Sequence, residues 1–415
     1  MYRLLGTRNS ADWFSVLTAH CLCPRESAIF GFIQYYIYLR RNSLVLLTIL
    51  VAFLLVTDVY FTYTYTHVAP DSILNTHVPR HHIAYVKVHK AASSTIQNIL
   101  LRYGYVRNMI FVLGRNANVY PNVISITESV TEYNIEPPPV NKTFDILCSH
   151  VIYNRASFRA IMPRDTIYLA SVREPFEIFI STLHYFRPPY IFDINVTDPI
   201  SVYLENPSKY EPMVKNSLTN NRMAFELGFP LHLFHSRNWT GIQNYLEKLD
   251  REMDLILVVE LLEESVVLLK RLLNWKLQDV LYVPKNTFKA LRNETKALLN
   301  KKFHLIKGAK EKYRAWADLD YILYDFAVKR LQRQIRGQDP NFEVEVKHYK
   351  IVRKKVEDFC LNESKPYRRA RLVIPPSVWN EEFVVDSVMC SQMILREAYF
   401  IQEIRYKQYG ILPKE

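Results

Sequence analysis

From Ser43 to Thr57 the chain reads SLVLLTILVAFLLVT without a charge, and the apolar-aromatic run continues past Asp58 to Tyr63. At about 20 residues it is long enough for one membrane-spanning helix. Arg3, Arg8, Arg25, Arg40 and Arg41 outnumber Asp12 and Glu26 upstream, and the Arg40–Arg41 pair abuts the run. The positive-inside rule then keeps the N-terminus in the cytosol and sends the remainder to a lumen or the exterior. A cleaved signal peptide is the rival reading, but the run begins some forty residues in and no small-x-small cleavage site follows it. The aromatic stretch from Ile29 to Leu39 is too short to span alone.

Beyond a stem containing Pro70 and Pro79, Ile83 to Val88 reads as a short buried strand that runs at once into His-Lys-Ala-Ala-Ser-Ser-Thr. A helix is predicted next. Ile96, Ile99, Leu100 and Tyr103 share one face, Ser93 or Ser94 can cap it, and Gly104 can end it. Further strand-like runs are Met109 to Leu113, Phe144 to Cys148, Ile167 to Val172 and Leu255 to Val259. Another helix is predicted where Leu262, Val266, Leu269 and Leu273 align, with Glu263 and Glu264 near its start and Lys270 and Arg271 near its end, as the macrodipole prefers. Strands alternating with helices predict an α/β fold with a mostly parallel central sheet flanked by helices. The expected boundaries are a cytoplasmic tail at 1–42, a transmembrane anchor at 43–63, a stem at 64–82, a main domain at 83–339, and a charged, less periodic extension at 340–415 packed on it.

Composition narrows the classes. With 49% hydrophobic and 13% aromatic residues the chain forms a core, and no repeat supports a solenoid or propeller. Only nine glycines are present, without a GxGxxG or GxxxxGK[ST] run, so any phosphate site must be built differently from the usual nucleotide loops. The formal charge is +12; setting aside the five basic and two acidic residues before the span leaves +9 for the rest, which favours an anionic ligand without naming it. Sequons at Asn141, Asn195, Asn238, Asn293 and Asn362 all follow the span, as a secretory lumen requires. Cys21 and Cys23 fall on the cytosolic side, where palmitoylation is conceivable. Cys148, Cys360 and Cys390 meet an oxidising lumen, which leaves one thiol over; the pairing expected is Cys360 with Cys390, with Cys148 a buried thiol.

Two constellations carry candidate chemistry. A helix N-terminus offers free N–H groups, and the turn Lys90 to Thr95 adds a lysine, the small Ala91 and Ala92, and the hydroxyls of Ser93, Ser94 and Thr95, which suits a phosphate. The bland alternative is a capped helix beside a surface lysine. The second is the strand ending at Val172, then Arg173-Glu-Pro and, eight residues after the arginine, Ser181. Arginine's planar fork suits a phosphate, and Pro175 fits a first helical turn. No CxxC or HExxH motif supports a metal, so none is expected.

Val88-His-Lys-Ala-Ala-Ser-Ser-Thr, Asn98-Ile-Leu, Val172-Arg-Glu-Pro, Ser181 and His184-Tyr-Phe together resemble the galactose 3-O-sulfotransferase family. Leu113-Gly-Arg-Asn, Cys148-Ser-His, Glu260 with Glu264-Ser, Leu268-Leu-Lys, and Trp275 with Asp279-Val-Leu-Tyr are similar to its pattern too, and Cys360 and Cys390 look like its late cysteines. The resemblance implies a P-loop-like sulfotransferase fold behind a single type II anchor in the Golgi membrane. It also implies 3′-phosphoadenosine 5′-phosphosulfate (PAPS) as sulfate donor, a galactose-terminated glycolipid or glycan as acceptor, and no nucleic-acid partner. Lys90 and Ala91 to Thr95 would hold the 5′-phosphosulfate, and Arg173 and Ser181 the 3′-phosphate. Ala91 departs from the family's usual threonine. His89, in the family's histidine position, would be the general base, Lys90 would stabilise the leaving phosphate, and His150 would orient the sugar or act as a second base. Glu260 would bind acceptor hydroxyls or serve a structural salt bridge. A different sugar position, or a non-catalytic membrane-anchored glycan-binding protein, are the alternative functions.

Overall fold

The computed structural model describes residues 78–115, 120–236, 238–284, 307–361 and 371–410, with Phe53 alone upstream. Apart from Phe53, the expected anchor at 43–63 lies outside the described residues, as do Ile29 to Leu39, Cys21, Cys23, Asn293 and Asn362. No helix among the described residues is long and apolar enough to cross a membrane. The chain divides into two units, Met1–Asn75 and Thr76–Glu415, and the second contains every element below.

Its centre is a parallel four-stranded sheet of β1 (Ile83–Val86), β2 (Ile146–Leu147), β3 (Ile167–Val172) and β4 (Leu255–Val258), in the order β2-β1-β3-β4. Ile83 pairs with Ile146 on one side and Ile167 on the other, and Leu169 pairs with Leu255. Such a sheet is covered on both faces, and its strands are almost uninterrupted apolar runs, nearly every residue buried. The chain leaves β1 for β2 on one side and returns to β3 on the other. A parallel sheet opens a crevice at the carboxyl ends of strands where its order reverses in this way.

The predicted helix after β1 is α1 (Ser93–Val106), and the strand-turn-helix after β3 continues into α3 (Pro175–Phe186), preceded in the chain by α2 (Arg155–Ile161). Pro175 occupies the first turn of α3 and Ser181 faces inward. Next come α4 (Pro199–Glu205), α5 (Arg222–Glu226), α6 (Trp239–Glu252) and α7 (Leu262–Leu273), the last with its acidic first turn and basic last turn as predicted. After it stand α8 (Ala309–Trp316) and α9 (Asp318–Arg336). A second apolar cluster joins Phe179 and Leu183 of α3 to Tyr203 of α4 and Tyr313 of α8.

Several expectations are corrected. Met109 to Leu113 is not a strand but a single bridge, Phe111 to Ile146. Backbone bonds join it to β2 only at the Ile110 carbonyl and the Val112 N–H, while side chains take the rest: Ile110 N–H donates to Asp145, and Phe111 N–H donates to the Gln408 side chain, whose amide donates back to the Phe111 carbonyl. Gly104 does not end α1, which runs two residues further. A Cβ there would sit 2.4 Å from the Phe111 ring, so the glycine serves close packing. Neither Ser93 nor Ser94 caps α1; the cap position is Ala92, in the left-handed region, without a side-chain bond. β1 stops at Val86 because the next carbonyl, that of Lys87, is taken by a histidine ring.

The region beyond 340 is more regular than its sequence suggests, with α10 (Phe342–Leu361), a hairpin of β5 (Leu372–Ile374) and β6 (Phe383–Val385), α11 (Ser387–Ile394) and α12 (Glu397–Tyr409). Cys360 is bonded to Cys390, tying α10 to α11, and Cys148 is a buried free thiol. Asn98 of α1 donates to the Gln392 carbonyl, and Arg405 of α12 pairs with Glu136.

Gly228, just after α5, has φ +76°, and an added Cβ would stand 2.3 Å from the Tyr153 carbonyl oxygen. Gly228→Ala is therefore expected to destabilise the protein by about 2 kcal/mol or more, combining the left-handed penalty with a backbone clash. Urea unfolding checks this, and an unchanged midpoint would contradict the packing described.

Candidate active site

Four segments meet at the carboxyl edge of the sheet: Lys87 to Thr95 after β1, Ser149 and His150 after β2, Arg173 and Glu174 after β3, and Glu260 after β4. In the first, Lys90 and Ala92 both adopt positive φ, 61° and 51°, around the fully buried Ala91. Left-handed non-glycine residues cost about 1–3 kcal/mol each and gather at functional sites. The turn they make starts α1 with no side chain capping it and no acidic residue in its first turn, which leaves the helix N-terminus positive. Ser93 and Thr95 are buried and Ser94 is half-buried. The Lys90 ammonium lies 3.9 Å from the centre of the Tyr185 ring. Burial first, and then the Arg173 charge, lower its pKa to about 8.

Arg173 donates to the Lys90 carbonyl at 3.3 Å and pairs with Glu177 at 3.0 Å, so the two phosphate-type constellations are joined at one place. Ser181 is buried on α3. Glu260 is exposed and accepts from the Glu174 backbone N–H at 3.0 Å, which ties the end of β4 to the loop after β3.

His89 is held twice by Glu226 of α5: its backbone N–H donates to one carboxylate oxygen at 2.8 Å and its ring Nδ1 donates to the other. That bond places the lone pair on Nε2. Arg222, one turn before Glu226 and 2% exposed, donates to the same carboxylate at 3.0 Å and to the carbonyls of Ser217 and Ile126. Burial alone would raise the Glu226 pKa, but His89 and Arg222 bring it down to about 2. The pKa of His89 falls below its usual value through burial, a fall that Glu226 partly offsets. His150 stacks on His89 with ring centres 3.9 Å apart. Its Nδ1 donates to the Lys87 carbonyl at 2.8 Å and its Nε2 accepts from the Lys87 ammonium at 3.1 Å. Burial, then His89 and Lys87, hold its pKa well below the usual range.

Ligand-type atoms of His89, His150 and Glu226 lie within 4.8 Å of one another. Nearly parallel rings do not aim their lone pairs at a common point, Glu226 is already engaged by His89 and Arg222, and an ammonium sits against His150. The trio fits a carboxylate-held imidazole with a second ring stacked on it better than a cation site.

The structure thus brings His89, Lys90, His150, Ala91 to Thr95 and Arg173 to one edge of the sheet. Sequence reasoning missed Glu226, Arg222, Lys87 and Glu397 of α12. Arg222 and Glu226 left one faint signal, an i,i+4 charge pair enclosing the apolar Met-Ala-Phe; the partnership of Lys87 with a residue 310 positions away left none.

Fold and edge together define an α/β protein whose strand-order reversal presents a lysine, an arginine and an uncapped helix start to an anion, with a carboxylate-held histidine beside them. The chain belongs to the galactose-3-O-sulfotransferase family, which it matches over residues 28–375. It is 33% identical to human galactosylceramide sulfotransferase over 214 residues, 50% of this chain and 49% of that protein. Identity to human galactose-3-O-sulfotransferase 2 is 28% over 297 residues, 69% of each chain. For mouse galactose-3-O-sulfotransferase 3 it is 27% over 297 residues, 69% of this chain and 65% of that protein. The chain thus spans about half the length of the galactosylceramide sulfotransferases it matches.

Removing one partner of a buried charge pair costs about 3–5 kcal/mol. Glu226→Gln is expected to destabilise on that scale because Arg222 is left buried, and Arg222→Met added to it is expected to recover part of the loss. Chemical denaturation of both variants tests this; a single variant as stable as wild type would show that the carboxylate does not anchor the site.

Proposed function

We propose that the protein transfers a sulfuryl group from PAPS to the 3-hydroxyl of a terminal β-galactose on a glycolipid or glycan. In this reading it is a single-pass type II protein of the Golgi membrane with a sulfotransferase-type fold facing the lumen. The observation that carries the proposal is the placement of a carboxylate-held histidine directly before the cationic turn that starts α1, in a chain of this family. The charge-free run after Arg40–Arg41, and the exposure of the sequon residues Asn141, Asn195 and Asn238, support the topology.

The residues present fit the donor. An uncapped helix start without acidic residues, fully buried Ala91 and the neighbouring Lys90 would hold the 5′-phosphosulfate, while Arg173 and Ser181 would hold the 3′-phosphate. When bound, PAPS supplies an activated sulfuryl group on a phosphate leaving group. His89 Nε2 removes the proton of the sugar hydroxyl, since Nδ1 is committed to Glu226. The Glu226 carboxylate stabilises the imidazolium that results and holds the ring in one orientation. Burial keeps His89 neutral, hence receptive, at neutral pH. Lys90 places an ammonium where negative charge develops beside the turn. His150, both nitrogens engaged, presents the face of its ring to His89 and fixes its tilt.

The test is transfer of labelled sulfate from PAPS to a terminal β-galactoside by the detergent-solubilised full chain, with linkage analysis of the product. His89→Ala and Lys90→Ala are each expected to lower kcat/KM by about 100-fold or more. A base must be deprotonated and a charge-stabilising lysine protonated, so kcat/KM is expected to fall below an acid limb lying under pH 6.5 and again above about pH 8. Product sulfated at another position, or no transfer by folded wild type, would overturn the acceptor assignment or the activity respectively.

A further inference from the structure

Lys87 is 1% exposed, yet it carries a charge into the floor of the site. Burying an ammonium costs several kcal/mol before compensation, and an apolar side chain of similar volume would fill the space more cheaply. Its ammonium reaches two groups: His150 Nε2 at 3.1 Å and a carboxylate oxygen of Glu397 at 3.0 Å, at the start of α12. Its own carbonyl accepts from His150 Nδ1. Lys87 and His150 therefore close a ring that uses both imidazole nitrogens, so His150 can neither flip nor accept the acceptor's proton. One face of the His150 ring stacks on His89.

We propose that Lys87, held by Glu397 from the C-terminal helix, is a positioning residue that locks His150 in one tautomer and thereby sets the orientation and basicity of His89. The groups facing His89 are Glu226 and Arg222 from α5, His150 after β2, Lys87 and Lys90 from β1 and its turn, Phe186 at the end of α3 and, behind Lys87, Glu397 of α12. Lys87 works against protonation of both rings, and Glu397 balances its charge. The C-terminal segment is in this way part of the site.

Opposite signs follow. Lys87→Met removes the positive charge, so His89 is expected to take up its proton at higher pH. Glu397→Gln leaves the Lys87 ammonium unbalanced while keeping a side chain of the same size, so His89 is expected to titrate at lower pH. Each shift is expected to be about half a pH unit or more, the scale of one partly buried charge at close range. The double variant is expected to return near wild type. The measurement is NMR titration of 13C-labelled histidine in the full chain in detergent, with His89 assigned through His89→Gln, alongside the acid limb of kcat/KM. A purely structural role would lower folding stability without opposed movements of the titration.

Midpoints unmoved in both variants, or moved in the same direction, would overturn the proposal. If Lys87→Met does not fold, Glu397→Gln decides alone by the sign of its shift. Only the kinetic half rests on the proposed sulfuryl transfer. Opposed shifts without turnover would uphold the positioning role and refute the activity, whereas turnover with unmoved midpoints would do the reverse.

Discussion

The site depends on Glu226 binding His89 through both its backbone and its ring. A single carboxylate there fixes where the chain turns after β1, which tautomer the imidazole takes and which nitrogen is left open. It can do so because Arg222, fully enclosed one turn earlier on α5, shares its charge, and because Asp320 of α9 accepts the N–H groups of Met223 and Ala224 at the start of that short helix. Burial raises the Asp320 pKa to about 7 despite those bonds, so this support lies close to neutrality. Without α5 the turn from Lys87 to Ala92, with two left-handed residues, would lose the carboxylate that holds His89 at its middle.

The sheet supplies the second constraint. Strand order reverses at β1 and β3, and polar residues follow each strand closely: Lys87 after β1, Ser149 and His150 after β2, Arg173 after β3 and Glu260 after β4. The carboxyl ends of four strands and the start of α12 converge there although they are distant in sequence. Long-range convergence of this kind explains how a chain with nine glycines and no glycine-rich phosphate loop can gather a lysine, an arginine and an uncapped helix start at one edge: left-handed Lys90 and Ala92 make the turn that glycines usually make.

Local patterns were legible and distant partnerships were not. The periodicity of α1 and α7, the proline opening α3 and the apolar runs of β1, β3 and β4 are properties of neighbouring residues, and the sequence displays them. Met109 to Leu113 has the composition of a strand, but the competing side chains of Asp145 and Gln408 are invisible at that distance. The region beyond 340 looked irregular because α10 mixes its buried residues with charges that pair within the helix, as Arg353 does with Glu357. His89, Lys90 and Arg173 could be marked from their motifs. Lys87 read as one more strand residue, and only folding reveals that it carries a buried charge.

Under the proposed sulfuryl transfer, the edge formed by the α1 turn and Arg173 is a nucleotide phosphate site. Calorimetric titration of the full chain with 3′-phosphoadenosine 5′-phosphate tests it most directly, because binding needs neither acceptor nor chemistry. Saturable binding at one site per chain is expected, weakened about tenfold or more by Arg173→Ala through loss of a charge-assisted contact. Absence of binding by the folded protein, or binding indifferent to Arg173, would contradict it.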